Sequence, residues 1–238
     1  MLLSAVAAEP LVSLAVLPFG NLSEYRGRLL DRRAAAAVSA EAPAAWGPVD
    51  LATVLQAIED LNAPAPLETA DVQRVCARLQ AAVAVTGVVR EVRIHAQGAE
   101  VTIMMDVIEP LSGEVIGRAP GVGKFSSREA LPVEARVEQA LALAARSAWT
   151  ALGPPPTVVG WAAATPIEGH VALRLADKVR LTLKAVVLLL PPEGSPAAPP
   201  LAAAVVESLT PGIAQAKLIG EREPVPAGAV ALAIGRVL

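Results

Sequence analysis

The sequence predicts an α/β fold, a mixed sheet with helices packed on it, followed by a small all-β barrel-like unit. Three observations support this fold class. The chain opens on a strand that leads into a helix, a meander of strands lies in its middle, and no helical stripe recurs after a proline-rich break. We therefore expect an α/β domain over residues 11–152, a linker over 153–156 and a β-barrel domain over 157–238.

The opening strand is a short apolar run that ends at turn residues. Leu11 to Leu17 is apolar except for one serine, and Pro18 to Asn21 closes the run. Such runs are typical of a buried strand. The next segment, 24–42, is rich in alanine and has no proline before its end, so it predicts the first helix. Asn21 and Ser23 form a glycosylation sequon, but we interpret them as residues that satisfy backbone groups and cap this helix.

Three further helices are predicted from apolar spacing and capping residues. Residues 51–61 carry an apolar stripe, with Asp50 as the expected N-cap. Thr69 is predicted to cap a third helix, in which Cys76 lies on the apolar face as a small buried hydrophobe. A last helix is predicted to start at Pro132, a residue suited to the first helical position.

Strands are predicted in the middle and at the end of the chain. Residues 82–125 show three β-rich segments joined by short turns, which indicates an antiparallel meander, and residues 101–107 should present one fully apolar face. The proline-rich segment Gly153 to Pro156 is a stiff spacer. Beyond it the expected barrel strands are 158–159, 171–175, 179–190, 201–208, 214–219 and 229–237.

The composition excludes several classes of protein. Hydrophobic residues make up 54% of the chain and aromatic ones only 3%, so the core must consist of small and aliphatic side chains. The net charge of −3 without a basic cluster argues against a nucleic-acid partner. No run of 18 apolar residues exists, so we expect no membrane span. The single cysteine excludes an internal disulfide.

The first ten residues suggest a cellular location. In residues 1–10, MLLSAVAAEP, the small-x-small pattern around Ala5 to Ala8 is similar to a secretory cleavage site. The apolar stretch before it is short and carries no basic residue. The segment is therefore either the remnant of a clipped signal peptide or an ordinary apolar terminus.

No motif of a catalytic or cofactor site is found in the sequence. Gly121 to Ser126 invites a phosphate-loop interpretation, but the first glycine of that pattern and its final Ser or Thr are missing. His95 and His170 have no ligand partners at metal-binding spacing, and Glu59-Asp60 is better explained as a solvated helix end. We therefore predict no catalytic, cofactor-binding or metal-binding residue, no cofactor and no enzymatic activity.

Three motifs resemble those of a known family. Ala15 to Ser23 resembles the start of TolB amino-terminal-like and CsgG-like domains, Leu79 to Val88 resembles their glycine-containing strand entry, and Asp106 to Val115 resembles their hairpin. The barrel segment around Val225 to Val230 is similar to the small domain that ends flagellar assembly T-type proteins. The resemblance implies a periplasmic or envelope-associated, non-catalytic module that binds proteins or assembles into rings.

The leading hypothesis is therefore a bacterial envelope or periplasmic protein-binding or assembly module, whose partners are other envelope proteins or further copies of itself. One alternative is an exported protein that binds a ligand or glycan through the barrel, which would require a concave pocket with convergent polar groups. The other is a hydrolase with a dispersed active site, which would require two carboxyl groups in environments that separate their pKa values. An assembly module should instead expose a sheet edge or an apolar patch.

Overall fold

The computed structural model describes residues 12–163, 169–177, 179, 181–192, 200–220 and 225–234. It contains four helices, an open mixed sheet and a closed six-stranded β-barrel among these residues, so the predicted fold class is confirmed. The prediction for residues 1–10 lies outside the described residues, as does the end of the expected strand 229–237.

The open sheet has the strand order β3-β1-β4-β5-β6, and a short strand β2 pairs with β4 beyond the end of β1. The first strands are parallel and the last three form the predicted antiparallel meander. The strands are β1 (Val12–Val16), β2 (Gly20–Asn21), β3 (Trp46–Pro48), β4 (Val83–His95), β5 (Gly98–Glu109) and β6 (Glu114–Ser126).

Four helices cover the two faces of this sheet. They are α1 (Leu30–Ala40), α2 (Leu51–Asp60), α3 (Thr69–Leu79) and α4 (Val133–Leu152). Helices α1 and α4 share one hydrophobic cluster with Leu14 and Val16 of β1, while α2 and α3 share another with Ala15 and Leu17. Because side chains alternate along a strand, the two pairs of helices lie on opposite faces.

The first helix begins later than predicted. Instead of starting at residue 24 it starts at Leu30, after Leu29 adopts a left-handed conformation with φ of 55°. The Asn21 side chain holds the preceding loop, since it donates to the carbonyl of Tyr25 at 2.9 Å and accepts from the amide of Ser23 at 2.9 Å. Asn21 and Ser23 therefore satisfy polar groups of this loop, as expected, but the prediction that they cap α1 is wrong.

The caps of the other helices agree with the sequence to within one residue. Asp50 caps α2 by accepting from the amide of Thr53 at 3.3 Å, as predicted. Thr69 is the first residue of α3 and not its cap, because Glu68 and Asp71 form a reciprocal capping box. Pro132 precedes α4 as its N-cap.

Helix α4 lies very close to β6 because glycines face it. A Cβ atom on Gly123 would stand 1.9 Å from the carbonyl oxygen of Ala140, and one on Gly121 would stand 2.2 Å from that of Ala144. The glycines of the segment that invited a phosphate-loop interpretation are thus needed for packing, and the segment is an extended strand. Small residues on both sides explain how a core with few aromatic side chains is closely packed.

The barrel has the strand order β10-β11-β8-β7-β12-β9 and is closed. Its interior cluster consists of small and aliphatic residues such as Leu173, Leu189 and Ala216. Strand β9 is shorter than predicted, since Leu183 and Lys184 form a turn before it. The strands are β7 (Thr157–Ala162), β8 (His170–Leu175), β9 (Val186–Leu190), β10 (Ala202–Thr210), β11 (Ile213–Leu218) and β12 (Val230–Ala233).

The two sheets are connected by a shared hydrophobic cluster. Leu188 of β9 and Leu232 of β12 belong to the same cluster as Leu141 and Ala144 of α4. The open sheet and the barrel therefore bury part of their apolar surface together. The division into domains at residues 153–156 stays a prediction.

Candidate binding surfaces

The two histidines and the acidic pair considered in the sequence lie at the ends of three different elements of the fold. His95 ends β4 and is exposed, whereas His170 begins β8 with its Nε2 atom 3.2 Å from Oε2 of Glu207. Glu59 and Asp60 are exposed at the end of α2, as expected for a solvated helix end. Within the described residues, no group of three or more His, Cys, Asp or Glu side chains could hold a metal ion.

One buried carboxyl group was missed by the sequence analysis. Glu109 at the end of β5 is fully buried, and its oxygens accept from the amides of Leu111 and Ser112 at 2.9 and 2.8 Å and from the Ser112 hydroxyl at 2.7 Å. The carboxylate thereby satisfies the turn between β5 and β6. Only the Glu-Pro-x-Ser-Gly spacing of the turn could have hinted at this role.

Cys76 is buried beneath α3, as predicted. Burial raises the pKa of its thiol to about 12, and the negative charge of Glu109 adds to this increase. The thiol is therefore protonated at neutral pH. A protonated and buried thiol has no nucleophilic role.

One side of the meander faces solvent and combines apolar and charged side chains. We call it the meander face, the side of β4, β5 and β6 opposite α4. Its centre is an apolar row formed by Val88, Met104 and Pro120, which lie side by side on the three strands. Val122, 44% exposed, extends this apolar surface along β6.

Ion pairs border the apolar centre on both sides. Arg118 of β6 binds Asp106 of β5 through two hydrogen bonds of 2.6 and 3.0 Å. On the other side, Nζ of Lys124 lies 3.1 Å from a carboxylate oxygen of Glu100. An apolar centre with a charged rim is the common anatomy of a protein-binding surface.

A groove of about 650 Å³ continues from this face towards the end of β1. The groove lies at the carboxyl end of β1. Helix α1, which follows β1, packs on one face of the sheet, whereas α2 and α3 pack on the other. Open α/β sheets commonly bind ligands at the carboxyl ends of strands where the helices change faces. Val88 belongs to both the groove and the meander face, and Leu22, 71% exposed, stands at the groove's wall. Most of its lining is apolar, and its polar residues are Asn21, Asp31, Thr69 and Thr86.

The edge strand β6 is less suited to binding than the face. Pro120 lies opposite Met104 in the middle of β6 and has no amide hydrogen. A proline at an edge interrupts the row of donors that another strand would need. The face, not the edge, is therefore the better docking surface of this sheet.

Comparisons with known proteins give weak likenesses only. A scan against protein-family models gives no match, and neither does a search of curated proteins. Solved structures that the chain is similar to include the PelC dodecamer from Paraburkholderia phytofirmans, with 15% identity, 57% of this chain and 86% of that chain covered, and a TM-score of 0.35. The LpoB C-terminal domain from Salmonella enterica shows 14% identity over 52% of this chain and 88% of that one, with a TM-score of 0.34.

A third similar structure is lipoprotein GNA1162 from Neisseria meningitidis, with 16% identity over 54% of this chain and 96% of that one and a TM-score of 0.38. At these scores the likenesses carry no argument about function. The resemblance to TolB amino-terminal-like and CsgG-like domains accordingly stays a prediction. Among the described residues, none of the helices has the length and apolarity needed to cross a membrane.

Proposed function

We propose that this chain is a non-catalytic module of the bacterial envelope or periplasm that binds protein through the meander face. The observation that carries the proposal is the apolar surface formed by the exposed Leu22 and Val122 with the partly buried Val88 and Met104 between them, bordered by ion pairs. Sequence motifs that resemble envelope domains support the location.

Leaving this apolar surface in water has a free-energy cost that a bound partner removes. Contiguous exposed apolar surface rimmed by charge marks interaction sites on soluble proteins. Each rim ion pair contributes little to stability, so its role is better sought in the orientation of a partner. The partner is either another envelope protein or a second copy of this chain.

Two charge-introducing variants test the proposal. Met104→Glu and Val122→Glu should each weaken binding at least about tenfold, because a carboxylate at the centre of an interface must be desolvated without a partner. Leu183→Glu is the matched control, since Leu183 is 58% exposed in the turn before β9 of the barrel and is not part of the meander face.

The measurement has two arms. Light scattering after size-exclusion chromatography across a wide concentration range detects self-association, and capture from envelope extracts with the three variants side by side detects other partners. A species bound by the wild type and by Leu183→Glu, but lost from both meander-face variants, supports the proposal. If every species binds all variants equally, the meander face is not the docking surface.

A further inference from the structure

One aromatic side chain of this chain is exposed on the barrel. The sequence has six aromatic residues. Trp46, Trp149 and Phe19 are buried at 1%, 4% and 2% exposure, whereas Trp161 on β7 is 44% exposed. Tyr25 and Phe125 are partly buried, so Trp161 is the most exposed aromatic side chain of the described residues.

Trp161 stands at the end of a row of three side chains on the outer wall of the barrel. It lies opposite Arg174 of β8, which in turn lies opposite Ile213 of β11. Arg174 is exposed, and within the described part of the chain it forms no ion pair. A guanidinium is thus free to bind a ligand beside an indole face.

A depression in the barrel surface lies beside this row of side chains. Ala172 and Gln215 pair in the neighbouring row, and the small alanine side chain lets the surface fall away beside the indole. The resulting cavity of about 550 Å³ is lined by Trp161, Arg174, Ile213 and Gln215 among small residues. We call these four residues, with Ala172, the barrel platform.

A second cation lies on the far side of the depression. Lys217 of β11 pairs with His170 of β8, four residues before Arg174. Four residues of a strand span about 13 Å, so the depression lies between two cationic side chains. Glu207 lies beside His170 and partly offsets this charge at that end. Among the described side chains around the depression, the cations Arg174 and Lys217 outnumber the carboxylate of Glu207, and this balance favours a negatively charged ligand.

The shape of the platform favours a saccharide over a peptide. The barrel is closed, so a peptide cannot extend it by adding a strand to an edge. The platform instead offers one flat indole, a planar guanidinium and a planar amide at the rim of a shallow depression. A pyranose ring presents C–H groups that pack on the indole, its hydroxyls bind the amide, and a ring carboxylate binds the guanidinium through two hydrogen bonds.

We propose that the barrel platform binds acidic saccharides of the uronic acid type, with Trp161 as the stacking surface and Arg174 as the carboxylate-binding residue. This site lies on the barrel, apart from the meander face, and does not depend on the proposed protein-binding function. It gives a structural basis to the glycan-binding alternative that the sequence left open.

Titration of the full chain with oligogalacturonate, followed by calorimetry and by tryptophan fluorescence, tests this site. Trp161 is the exposed reporter because Trp46 and Trp149 are buried. We expect a change in emission that maltohexaose, a neutral oligosaccharide, does not cause. Trp161→Ala and Arg174→Gln should each weaken binding about tenfold or more, while Trp161→Phe retains part of it.

The control variant is Arg93→Gln, which removes an exposed arginine of the open sheet and should leave the affinity for oligogalacturonate unchanged. Circular dichroism of each variant verifies that it is folded. The proposal is overturned if the wild type does not bind oligogalacturonate, if both platform variants bind it as the wild type does, or if polyglutamate binds equally well. None of these results bears on the meander face.

Discussion

The open sheet and the barrel bury the apolar side chains of their strands in different ways. The barrel closes on itself, so its ladders are complete and its inner cluster is apolar throughout the described residues. The open sheet needs helices to cover its faces and polar side chains to bind the backbone groups of its loops and turns. The three buried polar residues of the described chain, Ser23, Asp71 and Glu109, all belong to this part of the molecule. We conclude that the open sheet is the part whose stability relies on single buried polar groups.

The largest expected effect on the free energy of unfolding is the pH-dependent effect of Cys76 in the open sheet. Its folded-state pKa is raised to about 12 from a usual value of 9.0, so stability that is fully present below pH 9 is lost as the pH rises towards 12. The shift corresponds to about 4 kcal/mol. Urea unfolding across this pH range should show that the wild type loses about this much more stability than Cys76→Ala. Parallel pH curves for the two proteins would contradict the assignment.

Helix packing on the open sheet provides the next comparison. Gly123→Ala should lower the free energy of unfolding by about 3 kcal/mol, because the added methyl group collides with the backbone of α4. In the barrel, Gly212→Ala meets no neighbouring atom within 4 Å but has a φ of 78°. It should cost only about 1 kcal/mol of backbone strain. Equal losses in urea denaturation would show that the contact between α4 and β6 is looser than described.

Glu109 tests the dependence of the open sheet on side-chain hydrogen bonds. Glu109→Ala removes the acceptor of two backbone amides and one hydroxyl and should lower the free energy of unfolding by about 2 kcal/mol. Glu114→Ala, at an exposed position of the same hairpin, is the control, and we expect a change within about 0.5 kcal/mol. Thermal and urea unfolding of both variants measure the difference. If Glu109→Ala is as stable as Glu114→Ala, the turn between β5 and β6 does not depend on the carboxylate.

The smallest effect is expected at the rim of the meander face. Arg118→Gln breaks an exposed ion pair with Asp106 and should leave the free energy of unfolding almost unchanged, because solvent screens the pair. Its effect on the rate of partner association should be larger and should vanish at high salt. A clear loss of stability in this variant would show that the pair supports the fold.

The strands were predictable because their patterns are local. Alternation at residues 101–107 identified the buried face of β5, where Val101, Ile103 and Met105 are all buried. The start of α1 was not predictable, because residues 24–29 have helical composition while the Asn21 side chain and the left-handed Leu29 hold them in a loop. Local propensity is overridden there by hydrogen bonds within the loop.

The candidate surfaces depended on pairings that a single sequence does not contain. The sequence indicated that β5 alternates, but only the register places Val88, Met104 and Pro120 side by side. The same holds for Trp161 and Arg174, which are 13 positions apart in the chain and adjacent on the barrel wall. The sequence disfavoured a phosphate loop at the glycines 121 and 123, but their contact with α4 required the tertiary structure.

Site-specific photo-crosslinking tests the central claim, protein binding through the meander face, most directly. A photoreactive phenylalanine derivative is placed at Val122, and in a second protein at Leu183, and both are irradiated in the cells that produce the chain. We expect a discrete covalent adduct with protein, either another chain or a second copy, from position 122 and none from position 183. Absence of an adduct at 122, or the same adducts from both positions, would contradict it.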